Sequence, residues 1–231
     1  MSDSILRELV DLRENVLQKN RIAFRLRLGA IERGEDDQSS GDQQMLSFYQ
    51  EQFSALEENV EKDIKSRLKD VPIYDYLGQI KGIGPMLAAR LIALINIDQC
   101  DTVSSLWRFA GYAVIDGHAE RRVKGEKLHY SNRLKATCYN VAVSFLKSNS
   151  PYRAVYDAAK EHYQATQPEW TDGHRHMAAL RKMVKVFLAH LWETWRALEN
   201  LPIRPLYVME YLGHTHTLDP KTFGWKEVET F

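Results

Sequence analysis

Residues 77–92 read LGQIKGIGPMLAARLI. Leu77 and Ile80 suit one face of a short helix, and Gly82-Ile83-Gly84 suits a hairpin that needs unusual dihedrals. Pro85 fits the first turn of a second helix, where its missing N–H is no loss. Ala88, Ala89, Leu91 and Ile92 give that helix a packed face. The spacing predicts a helix-hairpin-helix. Its chemistry is anion binding: main-chain N–H groups at the hairpin and at the second helix's N-terminus can meet one phosphate oxygen. Lys81 and Arg90 would add charge. Such contacts position a nucleic acid without reading its sequence, and they do not separate DNA from RNA.

A second candidate is the basic segment Glu120–Lys135, with Arg121, Arg122, Lys124, Lys127, Arg133 and Lys135 against Glu120 and Glu126. His129 and Tyr130 are interleaved. An exposed ribbon of this kind neutralises several phosphates, each steepening the log–log salt dependence by about 0.9. Other chemistry has weaker support. Ser131 has arginines nearby in sequence, but a serine just before a helix at 132 reads as its N-cap. Asp98, Asp101 and Asp116 sit in turns, where aspartate is common anyway. His174-x-His176 and His214-x-His216 lack a third ligand at zinc spacing. The stripe Met183, Val186, Phe187, His190, Leu191, Thr194 reads as helix core. No catalytic residue, metal or cofactor is assigned.

The elements that must carry these residues are helical. Ile5, Leu9, Leu12, Val16, Ala23, Leu26 and Ala30 recur at spacings of four and three, with Lys19 interrupting, and predict a helix over 4–33. Leu6, Val10, Leu17, Phe24, Leu28 and Ile31 give it a second apolar face. GEDDQSSGD (34–42) is a loop by composition, with Asp42 as the expected N-cap of a helix running to Asp70 on Leu46, Tyr49, Phe53, Leu56, Val60, Ile64 and Leu68. Two such helices predict an antiparallel hairpin, a coiled-coil arm of about 40 Å, suited to pairing with a second copy. Val71-Pro72 ends it. Val103–Phe109 reads as a short helix capped by Asp101 or Thr102. Asp116-Gly117 and Lys124-Gly125 are turn signals between Tyr112–Ile115 and Lys127–Tyr130, giving a small β-hairpin or an extended basic loop. Further helices follow over 132–147, 152–166 and 174–199. The tail 201–231 is too aromatic for a free disordered end and is expected on the body or on a partner. The expected class is all-α: a coiled-coil arm (1–70), a helix-hairpin-helix domain (71–200) and the tail.

Composition sets the outer limits. The chain has 231 residues, 31 basic and 31 acidic, with 44% hydrophobic and 27% charged residues and a mean hydropathy of -0.43, which is ordinary for a globular protein. No apolar run reaches the ~18 residues of a membrane span, no signal-peptide stretch follows Met1–Arg7, and Cys100 and Cys138 are too few for a disulfide framework. A cytoplasmic protein is expected. The neutral total hides asymmetry. Nine acids stand against Lys62 between Glu35 and Asp63, whereas bases dominate Glu120–Lys135. Uneven sign of this kind is frequent in nucleic-acid-binding chains.

Beyond the hairpin, SSLWRFAGYAVIDG (104–117), Lys124-Gly125, Tyr130-Ser131-Asn132, Pro151-Tyr152-Arg153 with Tyr156, and Ala178-Ala179-Leu180-Arg181-Lys182 follow in order. Over residues 42–198 the sequence resembles the C-terminal transposase domain of the insertion-sequence one-ten/one-sixteen family, serine-type RNA-guided DNA recombinases. In that family a coiled-coil arm precedes the hairpin. Two departures stand out. The family's N-terminal RNase-H-like domain has no counterpart segment. Its catalytic serine, in a Ser-Gly pair after the Ala-Gly segment, falls here at Ala119-Glu120, and Ser131 matches a later, non-catalytic serine. The resemblance therefore implies a nucleic-acid-binding scaffold without the family's catalysis. The expected function is DNA binding (RNA left open) in recombination, transposition or DNA architecture, as a homo-oligomer and away from membranes. An active recombinase completed by a partner domain, or a protein-interaction module, are the alternatives.

Overall fold

The computed structural model describes residues 4–36, 39–115, 118–120, 124–125, 128–204 and 218–228. It is all-α apart from one two-residue ribbon. In chain order the elements are α1 (Ser4–Asp11), a π-helical segment (Leu12–Gln18), α2 (Lys19–Glu32), α3 (Ser40–Leu68), α4 (Pro72–Leu77), α5 (Pro85–Leu94), a 3-10 turn (Ile97–Gln99), α6 (Val103–Phe109), β1 (Val114–Ile115), β2 (His118–Ala119), α7 (Asn132–Ser148), α8 (Arg153–Thr166), α9 (Asp172–Leu198) and a 3-10 turn (Pro220–Phe223). Two units separate, one spanning Asp3–Asp70 and the other running from Val71 onward. Among the described residues no helix is long and apolar enough to cross a membrane.

In the first unit α1, the π segment and α2 run antiparallel to α3. Leu6, Val10, Leu17, Leu46, Val60, Ile64 and Leu68 are buried, and Phe24 stacks on Tyr49 and Phe53 at 6.3 and 5.7 Å. A charged layer interrupts this seam. Arg13 reaches Glu57 at 3.1 Å and Glu61 at 2.5 Å, and Arg21 reaches Glu57 at 2.6 Å. Residues eight apart on an α-helix are offset by about 80°; the slower winding of the π segment closes that offset, so Arg13 and Arg21 meet one carboxylate. The break at Lys19 in the sequence pattern marks this change of winding. The cap of α3 is not Asp42. Ser39 caps it, accepting from the Asp42 amide at 3.2 Å, because a serine one turn earlier leaves Asp42 at the third helical position, where its charge still favours the helix N-terminus.

The second unit is built around α9, whose Leu180, Met183, Val184, Phe187, Leu188, Leu191 and Trp192 are buried. Phe145 of α7 stacks on Tyr152 at 4.8 Å, and Phe187 meets both rings edge-on. Phe223 and Trp225 of the tail enter this cluster. A closed polar chain runs through it: Trp225 Nε1 donates to Tyr152 Oη at 2.6 Å, Tyr152 Oη bonds His190 Nδ1 at 2.7 Å, and His190 Nε2 lies 2.9 Å from the Leu218 carbonyl. A carbonyl only accepts, so Nε2 carries the proton and Nδ1 accepts from the tyrosine. Burial holds His190 neutral, with its pKa lowered to about 4.

Candidate nucleic-acid interface

Pro72 opens α4 and Pro85 opens α5. Between them the chain turns through Gly78–Gly84. Leu77, Ile80 and Ile83 are buried beneath the turn, and their burial fixes its path. The amide of Ile83 donates to the Ile80 carbonyl at 2.9 Å. Ile83 thus serves as a packing residue, and its amide does not face a ligand. This corrects the expectation that all three turn residues offer their nitrogens.

The two glycines of the motif differ in kind. Gly82 has φ +103°, and a Cβ there would lie 2.7 Å from Ser148 Oγ and 3.0 Å from Phe145 Cδ1. Its carbonyl accepts from Ser144 Oγ at 2.6 Å. Gly82 is glycine because α7 presses on it. Gly84 has φ -88° and ψ 168°, a conformation open to any residue. It is exposed, and a Cβ there would meet nothing within 4 Å. It stands at the N-cap of α5 with no side-chain cap. Pro85 contributes no N–H, so the next amides at this end belong to Met86 and Leu87. Lys81 is exposed beside the turn, and Arg90 is half-buried one helical turn further along α5.

The ribbon begins where α6 ends. Thr102 caps α6 in a reciprocal box with Ser105. Gly111, at φ +77°, packs under Tyr130 and Lys135; a Cβ would come within 2.9 Å of each. Lys135 Nζ lies 4.2 Å from the centre of the Tyr130 ring. Val114 pairs with Ala119 and Ile115 with His118. Among the described residues β1 pairs with β2 and not with Leu128–Tyr130 of the expected partner run; Asp116, Gly117 and Lys127 lie outside the described residues. Arg121, Arg122 and Lys127 lie outside the described residues. Lys124 is exposed, and Arg133 and Lys135 are half-buried on the first turn of α7. Ser131 caps α7, accepting from the Leu134 amide at 3.2 Å.

Sequence reasoning missed what holds this region from behind. Arg181 of α9 donates to the Tyr112 and Ala113 carbonyls at 2.8 and 2.6 Å. Trp107 donates to the Lys185 carbonyl at 3.0 Å, with Lys185 Nζ 4.0 Å over its ring. Burial lowers the pKa of both Arg181 and Lys185. The basic pair Arg181-Lys182 was the available signal, but nothing local says that a helical arginine turns inward to main-chain carbonyls. Cys100 and Cys138 are buried, with thiols pushed up to about 11 and about 12, so neither is a ready nucleophile. His176 bonds Tyr156 at 2.7 Å and His174 stacks on Trp170 at 4.0 Å. Among the described residues no three His, Cys, Asp or Glu side chains converge as for a metal.

The hairpin and the ribbon are joined through α7. Gly82 abuts its end near Ser144–Ser148, and Gly111 abuts its start near Lys135. The two lie about 20 Å apart along the helix axis.

Residues 74–157 match the model of the Transposase IS116/IS110/IS902 family. This segment is a transposase-like domain. No curated protein and no solved structure matches the chain. The matched segment runs from within α4 to the start of α8 and takes in the hairpin, α6, the ribbon and α7. The match supports a role related to transposition or recombination and implies interaction with DNA. The first unit and α9 lie outside it, although α9 supplies the transposase-like domain with its packing partner.

Proposed function

We propose that the transposase-like domain binds the DNA backbone without cutting it, through the α5 N-terminus and the basic ribbon, in transposition, recombination or its regulation. The observation that carries this reading is Gly84: exposed, sterically open and set at an uncapped helix N-terminus beside exposed Lys81. A helix end of that kind favours an anion. Arg133 and Lys135 extend the positive surface at the other end of α7, about six base steps away on a strand with a 3.4 Å rise, and exposed Lys124 adds charge from the ribbon. The non-catalytic part of the reading rests on the missing Ser-Gly pair after Ala110-Gly111 and on the capping role of Ser131. Gel-shift titrations of the full chain over two salt concentrations test it. Lys81→Glu with Lys124→Glu should weaken duplex binding at least about tenfold and lower the log–log salt slope by about 2. Unchanged binding removes this surface from the reading.

The first unit supports self-association. Met45, Phe48, Tyr49 and Leu56 form an exposed stripe on α3, and Ile5, Leu12 and Val16 a second one on α1 and the π segment. A second copy, meeting these stripes face to face, is the occupant proposed. Light scattering of the full chain should report an oligomer, and Phe48→Ser with Leu56→Ser should shift it to monomer. A monomeric parent ends this part.

A further inference from the structure

The last residue of α6, Phe109, is 39% exposed. The chain returning from the ribbon is held beside it, since the Ser131 amide donates to the Phe109 carbonyl at 2.8 Å. Between the end of α6 and Leu128–Ser131 lies an open cavity of about 430 Å³, lined by Arg108, Phe109, Leu128, His129, Tyr130 and Ser131. Its walls mix three chemistries. Phe109 and Leu128 are apolar. His129 Nδ1 sits 3.2 Å from Glu120 Oε1; a neutral imidazole that donates there keeps Nε2 as an acceptor. Arg108 adds an exposed guanidinium.

We propose that this cavity receives one unpaired base of a DNA strand. The inference rests on the backbone-binding reading above and adds a contact which that reading lacks. A nucleobase presents a flat π face, an edge of polar groups and a phosphate on either side. Phe109 supplies a surface for stacking, which tolerates any base because every base has a π face. The His129 acceptor suits an exocyclic amine, as on adenine or cytosine. Arg108 suits a flanking phosphate. A free inorganic anion is a poorer occupant, since it gains nothing from apolar walls and is repelled by Glu120. An apolar peptide is poorer too, since it offers no anion to the exposed Arg108 guanidinium.

The test uses the full chain and three duplexes of one sequence: fully paired, with one extra unpaired adenine, and with an abasic residue in place of that adenine. Fluorescence anisotropy should show the unpaired adenine raising affinity about tenfold over the paired duplex, with the abasic duplex matching the paired one. Phe109→Ala should remove the preference and leave paired-duplex affinity unchanged, and Phe109→Trp should keep it. A parent that binds all three alike, an abasic duplex bound as tightly as the adenine one, or a preference that survives Phe109→Ala overturns the inference. Those outcomes leave backbone binding intact. Lys81→Glu acts on the other contact and should weaken all three duplexes equally. A parent that binds none of them overturns both readings.

Discussion

The hairpin and the ribbon lie at the two ends of α7, and they are built in opposite ways. The hairpin is fixed by its back. Gly82 is pressed onto Phe145 and Ser148, its carbonyl is held by Ser144, and Ile83 is buried with its amide satisfied. Gly84 and Lys81, in the same turn, are exposed. The ribbon is fixed by its root. Arg181 grips the Tyr112 and Ala113 carbonyls and Gly111 is wedged under Tyr130, while β1 and β2 pair over only two residues each. A rigid turn can present amides at fixed positions, which is what a helix-end anion site needs. A lysine such as Lys124 on a short ribbon acts as a point charge on a flexible stem, for which position matters less. The hairpin should therefore set where DNA docks, and the ribbon how strongly salt opposes it.

The largest expected effect is on the back of the hairpin. Gly82→Ala forces a left-handed conformation on a residue with a Cβ and drives that Cβ into Ser148 and Phe145. Strain and overpacking together should cost about 3 kcal/mol, read as a lower urea midpoint at an unchanged m-value. A loss below about 0.5 kcal/mol would mean that the turn is not clamped from behind, and the contrast with the ribbon would fail.

Acid should loosen the same support by another route. Phe145, behind Gly82, stacks on Tyr152, and Tyr152 donates to His190. His190 titrates at about 4 in the fold against 6.5 unfolded. The unfolded chain therefore takes up the proton first. The stability held by neutral His190 is complete above about pH 6.5 and is lost as pH falls towards 4, amounting to about 2 kcal/mol at pH 5. Glu193, raised by burial and by Asp219, opposes this slope. His190→Gln, which cannot titrate, should flatten the decline in urea midpoint between pH 7 and 5. At pH 5 amide exchange should quicken more at Ile83 than at Ser131, which lies at the ribbon. An unchanged slope in the variant would take His190 out of the account.

Much of this was legible in the sequence, for a physical reason. Apolar periodicity, Pro72, Pro85 and the small polar residues before α6 and α7 place the helices because those signals act within one turn of chain. The glycine spacing located the turn between α4 and α5 for the same reason. What could not be read were relations between distant segments: which glycine packs and which stays open depends on α7, more than 60 residues on. The inward turn of Arg181, the π winding that aligns Arg13 with Arg21, and the Tyr152–His190–Trp225 chain likewise depend on partners that local pattern does not name. Cap choice failed at Asp42 because Ser39, three residues earlier, satisfies the same rule.

The smallest effect on stability should come from Gly84→Ala, and it divides the two glycines most sharply. The backbone there suits alanine and no atom of the protein stands within 4 Å of the added methyl. Stability should move by less than about 0.5 kcal/mol. Duplex binding should nonetheless weaken by about tenfold, since a methyl group on that residue stands between the α5 N-terminus and a phosphate that approaches the backbone closely. Lys81 remains in this variant, so the salt slope should hardly change while affinity falls, the reverse of the charge-reversal result. Equal binding by Gly84→Ala and the parent would show that DNA does not approach the α5 end. The glycine would then be a helix start with no ligand, and the ribbon would carry the interface alone.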